Sequence, residues 1–559
     1  PTRPLAVFRS KTVMESAKAT DASSTSPKCF AFVFGMASGH INPSLPVARG
    51  LVKLGHRVHY LCREQMREAI EDTGAMFHSE IENEPEVYSG RTPSIFGAID
   101  DIQKEYGMED ESMIVAGAML HEVIAEMMLP ALVRWLRRIG ADAVVYCPLL
   151  NMEAALAGKY LGIPRVALLT TAGPGSLVAA FKSMLEMAGH TPASILAKRR
   201  SYAPVQESID RLNSKYGLSL NITSSMEPMG KMLGVVDSTV TLVTTCEALQ
   251  DPVTPELAQA YEEARVRFVA VGPLLDAQGA RRAAGHKFHV EEGQEGSHQP
   301  EGEAERVDPV ELLKQARAAG RKVILLSMGT VITGDSPEYG WASRPTGKDG
   351  LPHGLTGREL CQAAWGGAFD AFGSESSEDG PLLLLALGPQ RNALGELKAP
   401  PNAVCLPVMP QVDVLKAGVD LFLTHGGQNS FTEALSAGVP LVVCPGFADQ
   451  PVNARKAVDL GVGLQVERPV PEDGQEAAAA AAYRQEVAAA MREVFAAGRF
   501  RDAAARCAEQ LRIAGGVPRA LELVLEAAAS AEDKASELTS TKAVVLGGAG
   551  DTKAHIAGA

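Results

Sequence analysis

Residues 421–450, LFLTHGGQNSFTEALSAGVPLVVCPGFADQ, constrain this chain more than any other segment. The apolar run LFLTH ends on a Gly-Gly pair, which reads as a buried strand stopped by a turn. Residues 428–437 then carry a helical pattern that Gly438 ends, and residues 439–444 read as the next strand. A strand that enters a helix through a Gly-Gly turn makes an anion site. Glycine lets backbone approach a ligand, while first-turn N–H groups and the helix dipole favour negative charge.

The polar residues stand where such a site would use them. His425 closes the strand and can donate to a phosphate. Asn429 and Ser430 lie at the helix start, Glu433 can face a ribose, and Asp449 and Gln450 follow the next strand. A purely structural alternative exists: Ser430-x-x-Glu433 is also the spacing of a capping box, and Asn429 is an ordinary cap residue. The joint presence of His425, Gly426, Gly427, Asp449 and Gln450 in one strand–helix–strand unit favours ligand binding.

The segment, extended back to Val408, resembles the nucleotide-sugar signature of the inverting UDP-glycosyltransferases. That family holds plant secondary-product, macrolide and sterol glycosyltransferases. The matching residues are Pro410 and Gln411, THGGQNS at 424–430, Glu433, GVP at 438–440, Asp449 and Gln450, and Asn453 with Ala454. The resemblance implies a donor site in which His425 meets the diphosphate, with Gly427, Asn429 and Ser430 beside it. It further implies Glu433 on the ribose, Asp449 and Gln450 on the donor sugar, and Gln411 in the same set. Plant members open the signature with a Trp that stacks on uracil. Val408 stands there instead, which leaves the base preference open.

At 559 residues the chain suits two or three domains. Its net charge of −14 argues against nucleic acid or an anionic membrane as main partner. The eight cysteines are scattered without a CxxC pair and read as reduced, buried thiols. The most apolar stretch, 113–135, is broken by His121, Glu122, Glu126 and Arg134, and reads as a buried amphipathic helix rather than a membrane span. No secretory pattern opens the chain, so a cytoplasmic location is expected. Asn221-Ile222-Thr223 fits a glycosylation acceptor that a cytosolic chain would leave unused.

Expected domain limits are a disordered leader at 1–28, a first α/β domain at 29–272 and a linker at 273–320. A second α/β domain follows at 321–470, then C-terminal helices at 471–531 and a disordered tail at 532–559. The linker's polar stretch, 277–306, includes His286, His289 and His298 at irregular spacing, which does not suggest a metal site. Residues 335–356 read as a surface insertion of unassigned role.

In the first domain, strand 29–36, a loop ASGHINP, helix 44–54 and strand 56–62 form a unit of a doubly wound sheet. The loop lacks G-x-G-x-x-G, so a nicotinamide cofactor is disfavoured. His40 on this loop lies outside the carboxyl end of the first strand, where such sheets place ligands. It can serve as a general base, cap the next helix, or simply be exposed. Gly39-His40-x-x-Pro43 matches the family's motif, and the resemblance implies that His40 deprotonates the acceptor. In that family an Asp after strand 142–147 orients the His. Cys147 stands here, so His40 is expected to act unaided or with Asn151, Glu153 or His121, or else turnover is impaired.

Residues 80–111 read as loops. The Met-rich helix 113–138, with Met113, Met119, Met127 and Met128, reads as core filler that can also line an adaptable apolar pocket. Strand 321–327 leads into Met328-Gly329-Thr330. The family sets this turn against the diphosphate, which implies hydrogen bonds from Ser327 and Thr330; an ordinary strand-end turn is the alternative.

The resulting expectation is a GT-B fold, two Rossmann-like domains facing each other across a cleft. The activity expected is transfer of a hexose from a UDP-sugar to a hydroxyl of a small lipophilic acceptor, with inversion, by a monomer or weak dimer. No Asp-x-Asp motif occurs, so no metal and no cofactor beyond the UDP-sugar co-substrate are expected. The rival readings are a catalytically impaired UDP-sugar or lipid-binding protein and a nucleotide-sugar epimerase.

Overall fold

The computed structural model describes residues 26–93, 97–224, 227–283, 307–336, 338–344 and 353–530. Most of the expected leader, the linker histidines, residues 345–352 of the insertion and the tail from 531 lie outside the described residues.

Seven parallel strands build the first sheet, in the order β3-β2-β1-β4-β5-β6-β7. They are β1 (Cys29–Val33), β2 (Arg57–Cys62), β3 (Met76–Ser79), β4 (Ala143–Tyr146), β5 (Arg165–Leu169), β6 (Val240–Val243) and β7 (Phe268–Ala270). Helices cover both faces, so the central strands carry unbroken apolar runs. Alternation still assigns each side chain to one face. Cys29, Ala31 and Val33 join one core with helix Met113–Ile139, while Phe30, Phe32 and Phe34 join another.

Strand β3 departs from expectation. Residues 76–79, MFHS, pair with β2 at the sheet edge, and residues after them form short helices rather than loops: Glu80–Asn83, Pro85–Tyr88 and Ile99–Glu105. An edge strand buries little, and His78 and Ser79 dilute its apolar signal. The helices after it span too few turns for a helical period to show in the sequence.

Helix Met113–Ile139 is capped by Ser112 and ended by Gly140 in the left-handed region. It is long and apolar enough to cross a membrane, yet half of its most apolar window is buried within the protein. Arg199 fixes it to helix Pro192–Ser201 through Glu122, at 2.7 Å with both side chains fully buried, and through the Ala118 carbonyl.

The second sheet has six parallel strands in the order β10-β9-β8-β11-β12-β13. These are β8 (Val323–Ser327), β9 (Leu382–Ala386), β10 (Ala403–Leu406), β11 (Leu421–Thr424), β12 (Leu441–Val443) and β13 (Gly463–Gln465). Helices Glu476–Ala496 and Gly498–Ile513 pack on it. Helical residues 516–530 return to the first sheet, where Ala520, Leu523, Val524 and Ala527 share a core with Phe30 and Val58.

Candidate active site

In each sheet the strand order reverses beside the strand that opens it: between β1 and β4 in the first, and between β8 and β11 in the second. Doubly wound sheets bind ligands at the carboxyl ends of the strands flanking such a reversal. His40 follows β1 and Cys147 follows β4; Ser327 ends β8 and His425 follows β11. The two reversals meet in one cavity of about 970 Å³, lined by His40 and Thr170 from the first domain and by Ser327, Thr330, Gln411, His425, Gly427, Asn429, Ser430, Glu433, Asp449 and Gln450 from the second. The residue expected as general base and those expected to bind the donor thus all line this one cavity, whereas Cys147 is not among its lining residues.

His40 sits in a one-turn helix, Ser38–Ile41, rather than on the expected loop. This turn runs through Asn42–Ser44 into helix Leu45–Lys53, so the backbone of His40 is fixed by continuous helical structure. Its Nδ1 lies 2.9 Å from Thr170 Oγ1 and 3.3 Å from Cys147 Sγ. Burial pushes the Cys147 thiol up to about 12, so it stays neutral. Among the described residues, none of the expected substitutes bonds His40. Asn151 accepts from Gly35 N–H and donates to Glu153, at 2.9 and 3.0 Å. His121 lines the cavity without a bond to His40. Thr170, at the end of RVALLT, was the residue to find: a polar side chain closing β5, beside β4 in the same sheet.

Enclosure by the cavity walls lowers the His40 pKa to about 4, because a charged imidazolium would lose its water. The ring is therefore neutral at pH 7. If Nδ1–H donates to Thr170, Nε2 keeps the lone pair that a general base needs.

On the opposite side, His425 is wedged between two glycines. A Cβ on Gly329 or Gly427 would lie 2.6 Å from its Nε2, and Gly329 also takes φ of +87°. Both glycines are thus required by the imidazole that sits against them. Burial brings His425 to about 4, opposed by a smaller effect of the Ser327 backbone. The helix that follows, Gln428–Ser436, has Gly427 as N-cap and no side-chain cap of its own.

That geometry removes the capping-box reading. Ser430 lies inside the helix, and Glu433 accepts from Gln411 Nε2 and from Arg282 Nη2, both at 2.7 Å. Ser430 Oγ accepts from the same Gln411 amide at 3.1 Å. Asn429 reaches across the cleft and donates to the Gly39 carbonyl at 2.7 Å. Asp449 accepts the Gln428 N–H at 2.9 Å, and burial raises its carboxyl to about 6. Gln450 Oε1 accepts the Gly446 and Phe447 N–H groups, which fixes the turn after β12. Arg282, from the expected linker, was not anticipated here; a lone Arg in a polar stretch gives no sequence signal.

The first-domain half of the cavity is apolar. Met113, Ile114, Ile124, Met128, Phe181 and Met184 line it, with Glu80, Glu153 and His121 as polar points. The methionines divide their duties: Met113 and Met128 face the cavity, whereas Met119 and Met127 pack in the core.

Comparison with known proteins agrees with this construction. Residues 396–478 match the family model "UDP-glucoronosyl and UDP-glucosyl transferase". The NDP-glycosyltransferase YjiC of Bacillus licheniformis is 25% identical over 437 residues, 78% of this chain and 84% of its own. The glycosyltransferase of kitacinnamycin superposes with a TM-score of 0.57 at 22% identity, over 90% of this chain and 99% of its own. The glycosyltransferase VinC, solved in complex with dTDP, does so with a TM-score of 0.51 at 14% identity, over 90% and 100%. Two parallel-sheet domains around one cleft give the GT-B fold; the family-model match and the NDP-glycosyltransferase relative make this a glycosyltransferase whose donor is a nucleotide sugar. Residues 396–478 thus carry the UDP-glycosyltransferase family's model, and most of the chain is similar to an NDP-glycosyltransferase.

Proposed function

We propose that the protein transfers a hexose from a UDP-sugar to a hydroxyl of a small, largely apolar acceptor, with inversion and with His40 as general base. One observation carries this reading: His40, with Nδ1 committed to Thr170, and His425, at the start of helix Gln428–Ser436, line a single cavity. The acceptor lies in the methionine-lined half. Its O–H proton passes to His40 Nε2, its oxygen bonds to the anomeric carbon, and the carbon–oxygen bond to the diphosphate breaks. The electron pair leaves with the diphosphate. Single displacement inverts the anomeric centre.

His425, Ser430 and the first-turn N–H groups grip the charge that grows on the leaving group, where preorganised donors act most strongly. Ser327 and Thr330 add hydrogen bonds from the turn after β8. Glu433 with Gln411 takes the ribose, and Asp449 and Gln450 take the sugar. The reaction uses no metal and no further cofactor, and the enzyme works in the cytoplasm as a monomer or weak dimer. A screen of UDP-sugars against hydroxylated apolar acceptors, read by mass spectrometry, tests this. Products one hexose heavier support it, and donor turnover with no acceptor in the panel counts against it.

A second reading has its own motivation. The two side chains bonded to His40 Nδ1 among the described residues, the Thr170 hydroxyl and the protonated Cys147 thiol, carry no charge. A protein that binds UDP-sugar but transfers slowly or not at all would show UDP affinity without product on any acceptor.

A further inference from the structure

We propose that Arg282, on the segment joining the two sheets, is a donor-binding residue that holds the departing diphosphate. The proposal rests on the glycosyltransferase reading above and adds a residue to it.

Charge balance in the cavity makes the case. A nucleoside diphosphate brings at least two negative charges and gains more on its leaving oxygen as the glycosidic carbon departs. Helix N–H groups supply only partial positive charge. His425 is held neutral by its burial. Asp449, when ionised, adds a negative charge at the helix start. Among the described residues that line the cavity, only Lys231 and Arg282 bear Lys or Arg side chains. Lys231 belongs to the first-domain segment that precedes helix Leu233–Val236. Arg282 stands on the donor side, 2.7 Å from Glu433.

The position of Arg282 also explains how it is delivered. Its guanidinium covers Glu433 Oε1, while Gln411 covers Oε2. A ribose hydroxyl that donates to Glu433 must compete for Oε1. Entry of the nucleoside and release of the guanidinium are then one exchange. Gln411 bonds both Glu433 and Ser430, so the guanidinium starts within a side chain's reach of the first helical turn. Arg presents a planar fork of donors that matches phosphate oxygens.

The backbone beneath it is pinned from both domains. Ala283 N–H donates to Asn42 Oδ1 at 2.8 Å, and Asn42 Nδ2 donates to the Ala283 carbonyl at 3.0 Å. Arg281 N–H is held by Asp72 and Gly279 N–H by Asp413, at 3.1 and 3.0 Å. Only the Arg282 side chain needs to swing. In the transfer step it gains no proton and loses none. It moves from a carboxylate to the diphosphate oxygens that receive the electron pair of the broken bond.

The test is a binding series on the full chain. Uridine, UMP and UDP are titrated by calorimetry into wild type, Arg282→Gln and Arg282→Lys, with thermal melts to confirm that each variant is folded. The expected result is a loss of UDP affinity in Arg282→Gln of about 10- to 100-fold, the range of a charged hydrogen-bonded contact. UMP should lose less, uridine should be unchanged or tighter, and Arg282→Lys should recover part of the UDP loss. Equal changes for uridine and UDP, or unaltered UDP affinity, would overturn the proposal and leave the glycosyltransferase reading standing. Failure of wild type itself to bind UDP would overturn both.

Discussion

Thr170 Oγ1 lies 2.9 Å from His40 Nδ1, so a neutral hydroxyl orients the imidazole. A carboxylate in that place would both fix the tautomer and stabilise an imidazolium. A hydroxyl does the first and little of the second. Thr170→Val keeps the shape of this buried side chain and removes the contact. It should lower transfer by roughly 10- to 100-fold, the scale of a misplaced catalytic group, and leave UDP affinity unchanged. Steady-state rates beside calorimetry check this; an unchanged rate would show that Thr170 does not set the ring.

Enclosure at the cavity gives a pH signature. His40 falls to about 4 from the ordinary 6.5 of an imidazole. The acid limb of kcat/KM for the free enzyme should therefore lie well below 6.5, toward 4. Stability moves the same way. Between about 4 and 6.5 the unfolded imidazole binds a proton that the folded one refuses, so this group contributes a loss of stability as pH falls through that window. Proton titration of the His40 resonance, compared in wild type and Thr170→Val, reports the pKa directly.

Cys147 Sγ stands 3.3 Å from the same nitrogen, so Cys147→Asp brings a carboxylate to His40. An adjacent anion favours the imidazolium, which should raise the His40 pKa and shift the acid limb upward. Transfer should quicken if charge stabilisation limits the rate. A shifted limb with an unaltered maximal rate would show that Thr170 already suffices.

The wedge around His425 makes a separate prediction. Gly329→Ala would set a Cβ 2.6 Å from the ring at a backbone φ of +87°. The variant should be destabilised by about 1–2 kcal/mol, the cost of a left-handed residue with a side chain. UDP binding should weaken as His425 is displaced. A melt with UDP titration tests both effects; normal UDP affinity would mean that His425 does not serve the diphosphate.

Much of this was legible in the chain. Central strands such as β1, β4 and β11 fall within the runs CFAFVFGM, DAVVYC and LFLTH, because strands buried on both faces are largely apolar. Strand β3 was hidden by its place at the edge. Turn chemistry located His425 and Gly427, since only glycine fits against that imidazole. What the sequence could not show was pairing at long range. Thr170 is 130 positions from His40, and Arg282 is 151 from Glu433. Neither spacing carries a pattern, because both contacts arise from how sheets and domains face each other. For the same reason Ser430 and Glu433 mimicked a capping box. Spacing alone does not reveal that the helix begins two residues before Ser430, with Glu433 turned to Gln411.

The most direct measurement pairs transfer rate with UDP affinity in His40→Ala. Removal of a general base should lower transfer by about 100- to 10,000-fold while UDP binds as it does to wild type. Near-normal transfer, or a loss of UDP affinity as large as the loss of rate, would contradict His40 as the group that takes the acceptor's proton.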